Sequence, residues 1–363
     1  MRKLFEKKLF RVIFTILAVI ASLALIIVAA VFILRIRGRQ SLMENTRNLP
    51  AIDLSVSAGS VDITQIGLLP DSAKRQLKEG EVLYKDKIYA YNRDAICILF
   101  MGIDKKGELS DAKDGMDGGQ ADALFLMVFN PHNKVYSVLT INRNTMTDID
   151  VFDKDGNFVN TRLAQITLQH GYGDGKEISC ERQIRTVSRF MHNIPIHAYA
   201  AINVAAVPAL NDAVGGVDVT ALEDIKYGKT DWKAGQELHL MGEDARTYVQ
   251  YRDVDVFGSN DGRFARQKQY MAAFVNKSRE LLKSNPGMGV DLYNIAMDYM
   301  VTDIDVSRVT YMTTEFLDYS MNEKGIMTVP GELIQGVEFE EYYADDEAVK
   351  DLVVELFYEP VEE

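Results

Sequence analysis

The stretch ALFLMVFNPHNKVYSVLTINR, residues 123–143, decides the fold class of this chain. Two runs of apolar, β-branched and aromatic residues stand on either side of NPHNK, residues 130–134. Each run has the length and composition of a buried strand. Asn and Pro between them favour a turn. The stretch therefore predicts a hairpin of two buried strands.

Strand-like and helix-like segments alternate on both sides of this hairpin. ICILFMGID (96–104) and GVDVTAL (216–222) have the composition of further strands. The patterns that favour helices cover residues 179–192, 203–214, 242–252, 263–282, part of 291–305 and part of 338–360. Such alternation predicts an α/β fold, three-layer-like, in which helices flank a mixed central β-sheet.

Residues 12–34 form a run of 23 residues without a charged side chain. This length is enough to cross a hydrocarbon core about 30 Å thick, and no small-residue cleavage site follows it. We therefore expect one N-terminal transmembrane helix that stays in the protein. Five basic residues precede the run and three follow it, which favours a cytoplasmic N-terminus and an extracellular body.

The rest of the chain is strongly acidic. Without the eight basic residues and the one acidic residue that flank the apolar run, 32 basic and 52 acidic residues remain, a formal charge of −20. Nucleic acid would need a broad basic surface, so we expect no nucleic-acid partner. Cys97 and Cys180 could form a disulfide outside the cell, but the apolar neighbours of Cys97 favour a core residue.

A local group of basic residues stands out against this acidity. SNDGRFARQKQ, residues 259–269, places Arg263 and Arg266 three positions apart near the start of a predicted helix. Two cations there oppose the helix dipole, and a bound anion would relieve that conflict. The alternative is a solvated helix face whose arginines pair with nearby acids.

Three further residues are candidates for a binding site. Arg143 directly follows a predicted strand and suits bidentate oxyanion binding, although a structural salt bridge is the alternative. Arg252 leads into a loop with Asp253 and Asp255. Asp122 precedes a strand, where it could bind a divalent cation or cap a turn.

Four motifs in order resemble the LytR-CpsA-Psr family of bacterial cell-envelope proteins. They are DALFLMVFNPHNKVYSVLTINRNT (122–145), NDAVGGVDV (211–219), LMGEDARTYVQYR (240–252) and DGRFARQKQ (261–269). The resemblance implies a phosphotransferase that moves an anionic glycopolymer from a polyprenyl-pyrophosphate carrier to peptidoglycan. It implies Mg²⁺ as cofactor, with Mn²⁺ as the alternative, and the cytoplasmic membrane as a further partner.

The same resemblance assigns roles to individual residues. Pyrophosphate binding would fall to Arg143, Arg252, Arg263, Arg266 and Gln267. Metal binding would fall to Asp122 and Asn144, and the catalytic residues would be Arg143, Asp261 and Arg263. Asp261 would act as a base or would orient the arginines. Phosphoryl transfer places charge on the phosphate oxygens, so positioned cations would do most of the catalysis. The polyprenyl tail would lie in an apolar cleft between sheet and helices.

The charge and hydropathy of the N-terminal region, together with the resemblance over the rest, divide the chain into four parts. They are a cytoplasmic basic N-terminus (1–11), the anchor (12–34), an extracellular stalk and lead-in (35–90), and a catalytic domain (91–358) with its core motifs in 96–282.

Two positions depart from the family pattern. Asn144 stands where the family commonly has Asp, and Gln250 stands where many relatives have Arg. Since Asn adds no negative charge, we expect a metal affinity that is reduced or shared differently. Asn144 also keeps one alternative open, a non-catalytic envelope regulator that binds polyprenyl pyrophosphate. A second alternative is a pyrophosphate hydrolase, which would use the same site with water as the acceptor.

Overall fold

The computed structural model describes residues 22, 25–44, 50–54, 77–104, 118–253 and 259–361. The strands, in chain order, are β1 (Glu81–Tyr84), β2 (Lys87–Tyr91), β3 (Ile96–Ile103), β4 (Ala121–Asn130), β5 (Val135–Ile141), β6 (Met146–Phe152), β7 (Phe158–Gln165), β8 (Ala198–Asn203), β9 (Val217–Thr220), β10 (Ile225–Tyr227), β11 (Thr230–Trp232), β12 (Glu237–Leu240), β13 (Met300–Thr302), β14 (Ser320–Thr328), β15 (Gly331–Gln335), β16 (Glu340–Ala344) and β17 (Tyr358–Pro360).

The helices are α1 (25–44), α2 (Glu177–Phe190), α3 (Ala206–Ala213), α4 (Glu243–Gln250), α5 (Ser259–Ser284), α6 (Met288–Met297), α7 (Val306–Phe316) and α8 (Asp346–Phe357), with a 3₁₀ helix at Ile166–Gly171.

A six-stranded mixed sheet forms the centre of the body, in the order β13-β8-β3-β4-β5-β14. The predicted hairpin is β4 and β5, which pair antiparallel. Strand β3 pairs antiparallel with β4 and parallel with β8, and β14 pairs parallel with β5. The predicted mixed α/β fold with a central mixed sheet is therefore confirmed.

Helices cover both faces of this sheet because its strands are buried on both sides. Along β3, Leu99 and Met101 pack into a core that also contains residues of α2 and α8. The alternate residues Ile98 and Phe100 face a second core formed with α5, α6 and α7. Successive side chains of the strand thus point to opposite faces of the sheet, and both faces are apolar. Each face is therefore covered by a layer of helices.

Both cysteines belong to the core on the α2 and α8 side. Cys97 and Cys180 are buried and each is a free thiol. The interpretation of Cys97 as a core residue agrees with this, and the structure contains no disulfide between the two. Burial raises the pKa of both thiols well above the usual range.

The C-terminal third contains more strands than the sequence predicted. Helix α8 lies within its predicted segment, and α6 overlaps the predicted segment 291–305 but begins three residues before it. Strand β13, which falls inside that segment, was not predicted, nor were β14 and the β15–β16 hairpin. The β6–β7 hairpin was missed as well. Strand β7 is exposed over most of its length, and β15 is short and mostly exposed, so both lack the apolar runs that identify β3, β4 and β5.

The N-terminal region differs from the predicted stalk. Helix α1 continues through residue 44 and packs against α7, with Leu42 fully buried. Arg35 pairs with Glu315, and Arg308 Nε donates to Ser41 Oγ at 3.0 Å. Gly38 meets the Ser307 carbonyl so closely that a Cβ would lie 2.1 Å from its oxygen.

The lead-in is also part of the folded body, because β2 pairs with both β1 and β17. The predicted boundary of the domain at residue 91 therefore falls inside a small sheet. Much of the predicted anchor, 12–34, lies outside the described residues. In the part of the chain that the structure describes, no helix is long and apolar enough to cross a membrane.

Candidate active site

The strand directions bring three residues at strand ends to one edge of the sheet. Strands β3 and β5 run parallel to each other because each pairs antiparallel with β4. Their carboxyl ends therefore lie beside the start of β4. Asp104 directly follows β3, Asp122 is the second residue of β4, and Arg143 lies two residues after β5.

Asp122 is the centre of an acid–arginine cluster at this edge. Its Oδ1 lies 2.7 Å from Arg143 Nη1, and its Oδ2 lies 3.6 Å from Arg263 Nη1 of α5. The three side chains are only 10–17% exposed. Arg143 Nη2 also donates to Gln120 Oε1 at 2.5 Å. The structure thus brings together one residue from β4, one from the loop after β5 and one from α5.

Electrostatic interactions extend the cluster to Asp104 and Arg252. Burial raises the pKa of Asp122, Arg143 and Arg263 oppose that shift, Asp104 adds to it, and Arg252 also opposes it. Burial likewise lowers the pKa of Arg263, and Asp122 is the main group that opposes this. Asp104 was missed in the sequence, although its place after a buried strand is the same signal that identified Arg143.

Several buried polar atoms in this cluster lack a hydrogen-bond partner among the described residues. They are Asp122 Oδ1, Arg143 Nε and Arg252 Nε. Asp122 Oδ1 is within ion-pair distance of Arg143 but does not have hydrogen-bond geometry. Buried polar groups in native proteins nearly always find partners. The unmet Nε donors of Arg143 and Arg252 therefore suit a ligand with anionic oxygens, whereas the unmet Asp122 oxygen suits a cation or a donor.

A cavity of about 350 Å³ leads away from the cluster between the sheet and α5. Asp104, Asp122, Arg263 and Gln267 line its polar end. The remaining wall is mainly apolar and includes Phe100, Met127 and Val138 of the sheet, Val207 and Leu210 of α3, and Met271, Phe274 and Val275 of α5. The expected apolar cleft between sheet and helices is therefore present.

Arg266 does not share the contacts of the other arginines. Its Nε donates to Glu223 Oε1 at 2.9 Å, and its other two nitrogens donate to the carbonyls of Tyr248 and Tyr251. Its side chain is 1% exposed. Arg266 thus binds the carbonyls at the end of α4, which leads to Arg252. Each of its three nitrogens thus makes one hydrogen bond within the protein, which gives Arg266 a structural role here. Its contact with pyrophosphate stays a prediction.

Asn144 also differs from its predicted role. Its Oδ1 accepts from Gln165 Nε2 at 3.2 Å, and its Nδ2 donates to Glu340 Oε2 at 3.3 Å. The side-chain oxygen that would bind a metal is therefore directed to Gln165.

The remaining predicted residues lie around the cluster. Gln267 lines the polar end of the cavity, and its Nε2 donates to Val249 O at 3.1 Å. Asp261 is in the first turn of α5, and its electrostatic neighbours are Glu340 and Tyr342 of β16. Burial raises the pKa of Asp261, and Glu340 adds to the shift. Gln250 lines the cavity.

A protein metal cage is not present in the described part of the chain, where no group of three or more His, Cys, Asp or Glu side chains could hold an ion. Mg²⁺ does not need such a cage, because it commonly binds to one or two carboxylates together with phosphate oxygens of the substrate. Asp104 and Asp122 meet this smaller requirement.

The protein is of the mixed α/β class, and at one edge of its sheet a charged pocket opens into an apolar cavity. A site of this kind is suited to an amphiphile with an anionic head. Residues 70–356 match the LytR_cpsA_psr family, and the chain belongs to this family.

Named relatives agree with this assignment. The polyisoprenyl-teichoic acid–peptidoglycan teichoic acid transferase TagU of Bacillus cereus is 27% identical over 266 residues, 72% of this chain and 78% of that protein. A protein of the same name from Oceanobacillus iheyensis is 28% identical over 293 residues, 80% of this chain and 82% of its own length. The crystal structure of B. subtilis TagV covers 72% of this chain and 96% of that one, with a TM-score of 0.55 and 23% identity, and so shares the fold.

Proposed function

We propose that this protein transfers an anionic glycopolymer, of the teichoic acid type, from a polyprenyl-pyrophosphate carrier to peptidoglycan. The observation that carries the proposal is the continuity of the acid–arginine cluster with an apolar cavity. A lipid pyrophosphate has this division into a charged head and an apolar tail. The names of the relatives in Bacillus and Oceanobacillus describe the same reaction class.

In the proposed reaction, a sugar hydroxyl of peptidoglycan attacks the phosphorus that carries the glycopolymer. A new phosphorus–oxygen bond forms, the bond to the bridging oxygen breaks, and polyprenyl phosphate leaves with the bond's electron pair. Arg143, Arg252 and Arg263 bind the phosphate oxygens and stabilise the charge that develops on them. The unmet Nε donors of Arg143 and Arg252 are available for this.

Asp261 is the proposed base that takes the proton of the attacking hydroxyl. Burial and the charge of Glu340 both raise its pKa, and a raised pKa makes a carboxylate a better proton acceptor near neutral pH. Its position in the first turn of α5, two residues before Arg263, links it to the same helix as a phosphate-binding group.

Asp104 and Asp122 are the residues that would hold Mg²⁺, or Mn²⁺ in its place. A bound cation would neutralise charge on the pyrophosphate oxygens during transfer. Asp122 already lies between two arginines, so the protein residues hold the carboxylate and the phosphate-binding groups in one small volume.

We further propose that the protein is a single-pass membrane protein, with its N-terminus inside the cell and its body outside. The described end of the predicted anchor supports this, because Leu25, Ile26, Ile27, Val28 and Phe32 are all more than 60% exposed. Such a row of exposed apolar side chains is unusual on a helix in water. The docking of α1 on α7 would then keep the body close to the membrane that holds the lipid substrate.

A catalytic protein agrees better with the structure than a non-catalytic binder. The reason to consider the binder was Asn144, but its side chain contacts Gln165 and Glu340 instead of the cluster. A hydrolase would use the same residues, with water as the acceptor, and the products distinguish the two reactions.

The test uses the full chain in detergent with a short-chain prenyl-pyrophosphate-linked disaccharide, Mg²⁺ and a peptidoglycan fragment, with products followed by mass spectrometry. We expect a phosphodiester-linked adduct, formed about 100-fold or more slowly by Arg263→Ala. Arg246→Ala is the matched control, because Arg246 is 40% exposed and pairs with Glu243 on the surface of α4. Free disaccharide phosphate would indicate hydrolysis, and no product would contradict both reactions.

A further inference from the structure

The side chain next to Arg143 belongs to a buried polar network that reaches the C-terminal part of the chain. Asn144 and Gln165 are both less than 10% exposed. Asn144 donates to the carboxylate of Glu340 and accepts from Gln165, and Gln165 Nε2 also donates to the Glu340 carbonyl at 2.8 Å. One carboxylate on β16 thus faces the loop between β5 and β6.

Main-chain hydrogen bonds hold the same loop against β16. Tyr342 N donates to Asn144 O at 2.9 Å, and Thr145 forms a parallel bridge with Tyr342. Thr167 N, in the 3₁₀ helix that follows β7, donates to Arg143 O at 3.3 Å. The backbone of Arg143 and Asn144 is therefore fixed by two parts of the fold, and a shift of Asn144 would move Arg143.

The polarity of this network explains why an amide stands at position 144. The carboxamide both donates to Glu340 and accepts from Gln165, whereas an ionised carboxylate can only accept. An Asp here would place its oxygen about as close to Glu340 as the amide nitrogen now is, at 3.3 Å. Two like charges at that separation in a partly buried setting repel each other.

We propose that Glu340 is a positioning residue that holds Asn144 and, through it, keeps Arg143 in contact with Asp122 and the pyrophosphate. In this pair the amide of Asn144 is the donor and the carboxylate of Glu340 is the acceptor. The Asn at position 144 is thus matched by the acid on β16 and is not a lost metal ligand. This inference rests on the proposed binding of a lipid pyrophosphate by Arg143.

The test measures the affinity of the full chain for farnesyl pyrophosphate with Mg²⁺, per folded molecule, in four proteins. These are wild type, Asn144→Asp, Glu340→Gln and the double variant. We expect Asn144→Asp to weaken binding about tenfold or more, within the range of coupling between contacting groups. Glu340→Gln should stay within about threefold, because the new amide oxygen still accepts from Asn144. The double variant should return to within about threefold of wild type, because the amide introduced on β16 then donates to the carboxylate introduced at position 144.

A second set of variants separates positioning from general loss of structure. In an Arg143→Ala background, Asn144→Asp should have almost no further effect on affinity, because its effect passes through Arg143. An equal loss in both backgrounds would overturn the proposal, and so would a double variant that binds as poorly as Asn144→Asp. No farnesyl pyrophosphate binding by wild type would instead refute the proposed function.

Discussion

Asp122 Oδ1 and Arg143 Nη1 lie 2.7 Å apart at the edge of the central sheet, although neither residue is a neighbour of the other in sequence. The β4–β5 hairpin makes this contact, since it returns the end of β5 to the start of β4. Both side chains are largely buried, and each retains an atom without a hydrogen bond among the described residues. A buried ion pair of this kind contributes little to stability, so a ligand-binding role explains it better.

Arg266→Met should destabilise the protein without removing the binding site. The change leaves the carbonyls of Tyr248 and Tyr251 and the carboxylate of Glu223 without their donor. Unsatisfied buried acceptors cost about 1–3 kcal/mol each, so we expect a loss of roughly 2–4 kcal/mol in the free energy of unfolding. Denaturant unfolding measures this loss. The control Arg246→Met, on the exposed face of α4, should change the free energy of unfolding by less than about 0.5 kcal/mol.

The two proposed roles of Arg266 have different outcomes. A variant of unchanged stability that no longer binds prenyl pyrophosphate would show that the resemblance assigned Arg266 correctly and that its contacts in the structure are not those of the working enzyme.

Met271→Trp should separate binding of the lipid tail from binding of the charged head. Met271 lies on α5 in the apolar wall of the cavity, and a larger side chain would occupy space that the tail needs. We expect affinity for farnesyl pyrophosphate to fall about tenfold or more. A loss of this size corresponds to about two methylene groups of the tail that are no longer buried. Inorganic pyrophosphate should bind as before. Asn276→Trp on the exposed face of α5 is the control, and an equal loss for both ligands would place the tail elsewhere.

Gly38→Leu should release α1 from α7. A side chain at this position would collide with the Ser307 carbonyl, whose oxygen would lie 2.1 Å from the new Cβ. Overpacking of this kind costs about 1–3 kcal/mol. Hydrogen exchange of residues 35–44 in the full chain should become faster, while exchange in β3 and β4 stays slow. Gln40→Leu on the exposed side of α1 should leave exchange unchanged; protection retained in Gly38→Leu would contradict the docked helix.

His132 should make stability depend on pH. Hydrogen bonds to Asp94 and Glu359 raise its pKa in the folded protein, so the folded state binds more protons than the unfolded state. The stabilisation is complete below the unfolded value of about 6.5 and is lost as pH rises through the folded pKa. Because the ring is 47% exposed, the contribution should be less than about 1 kcal/mol.

Thermal unfolding of wild type and His132→Gln checks this expectation between pH 5.5 and 8.5. The melting temperature of wild type should exceed that of His132→Gln most at the acidic end, and this excess should shrink as pH rises. A difference that grows with pH would show that the ring is held in its neutral form.

Strands β3, β4 and β5 of the central sheet could be predicted because their evidence is local, whereas β8, β13 and β14 of the same sheet were not predicted. Apolar runs such as 96–103 and 123–129 are too long and too apolar to be exposed, and the turn residues between 123–129 and the next run predict the hairpin. The strands that were missed lack this signal. Strand β7 is exposed over most of its length and β15 is largely polar, so their pairing depends on neighbours that the sequence does not identify.

The candidate site was predicted in part for the same reason. Asp122, Arg143 and Arg263 occupy strand ends or the start of a helix, and chain direction alone brings such positions together. Spacing along α5 placed Arg263 and Arg266 near one face, but three residues correspond to an offset of about 60° around the helix axis. That offset is enough for one guanidinium to reach Asp122 and the other to reach the end of α4.

Local sequence patterns were enough to predict β3, β4 and β5 of the central sheet, the hairpin between β4 and β5, and the positions that face the charged end of the cavity, because periodicity and turn residues act over short stretches of chain. The hydrogen-bond and packing partners of individual residues depend on the tertiary structure. Glu340 reaches Asn144 across 196 positions, and Gly38 meets a carbonyl of α7. Such contacts depend on how whole elements pack, since a side chain's hydrogen bonds are set by whichever group the fold brings within about 3 Å.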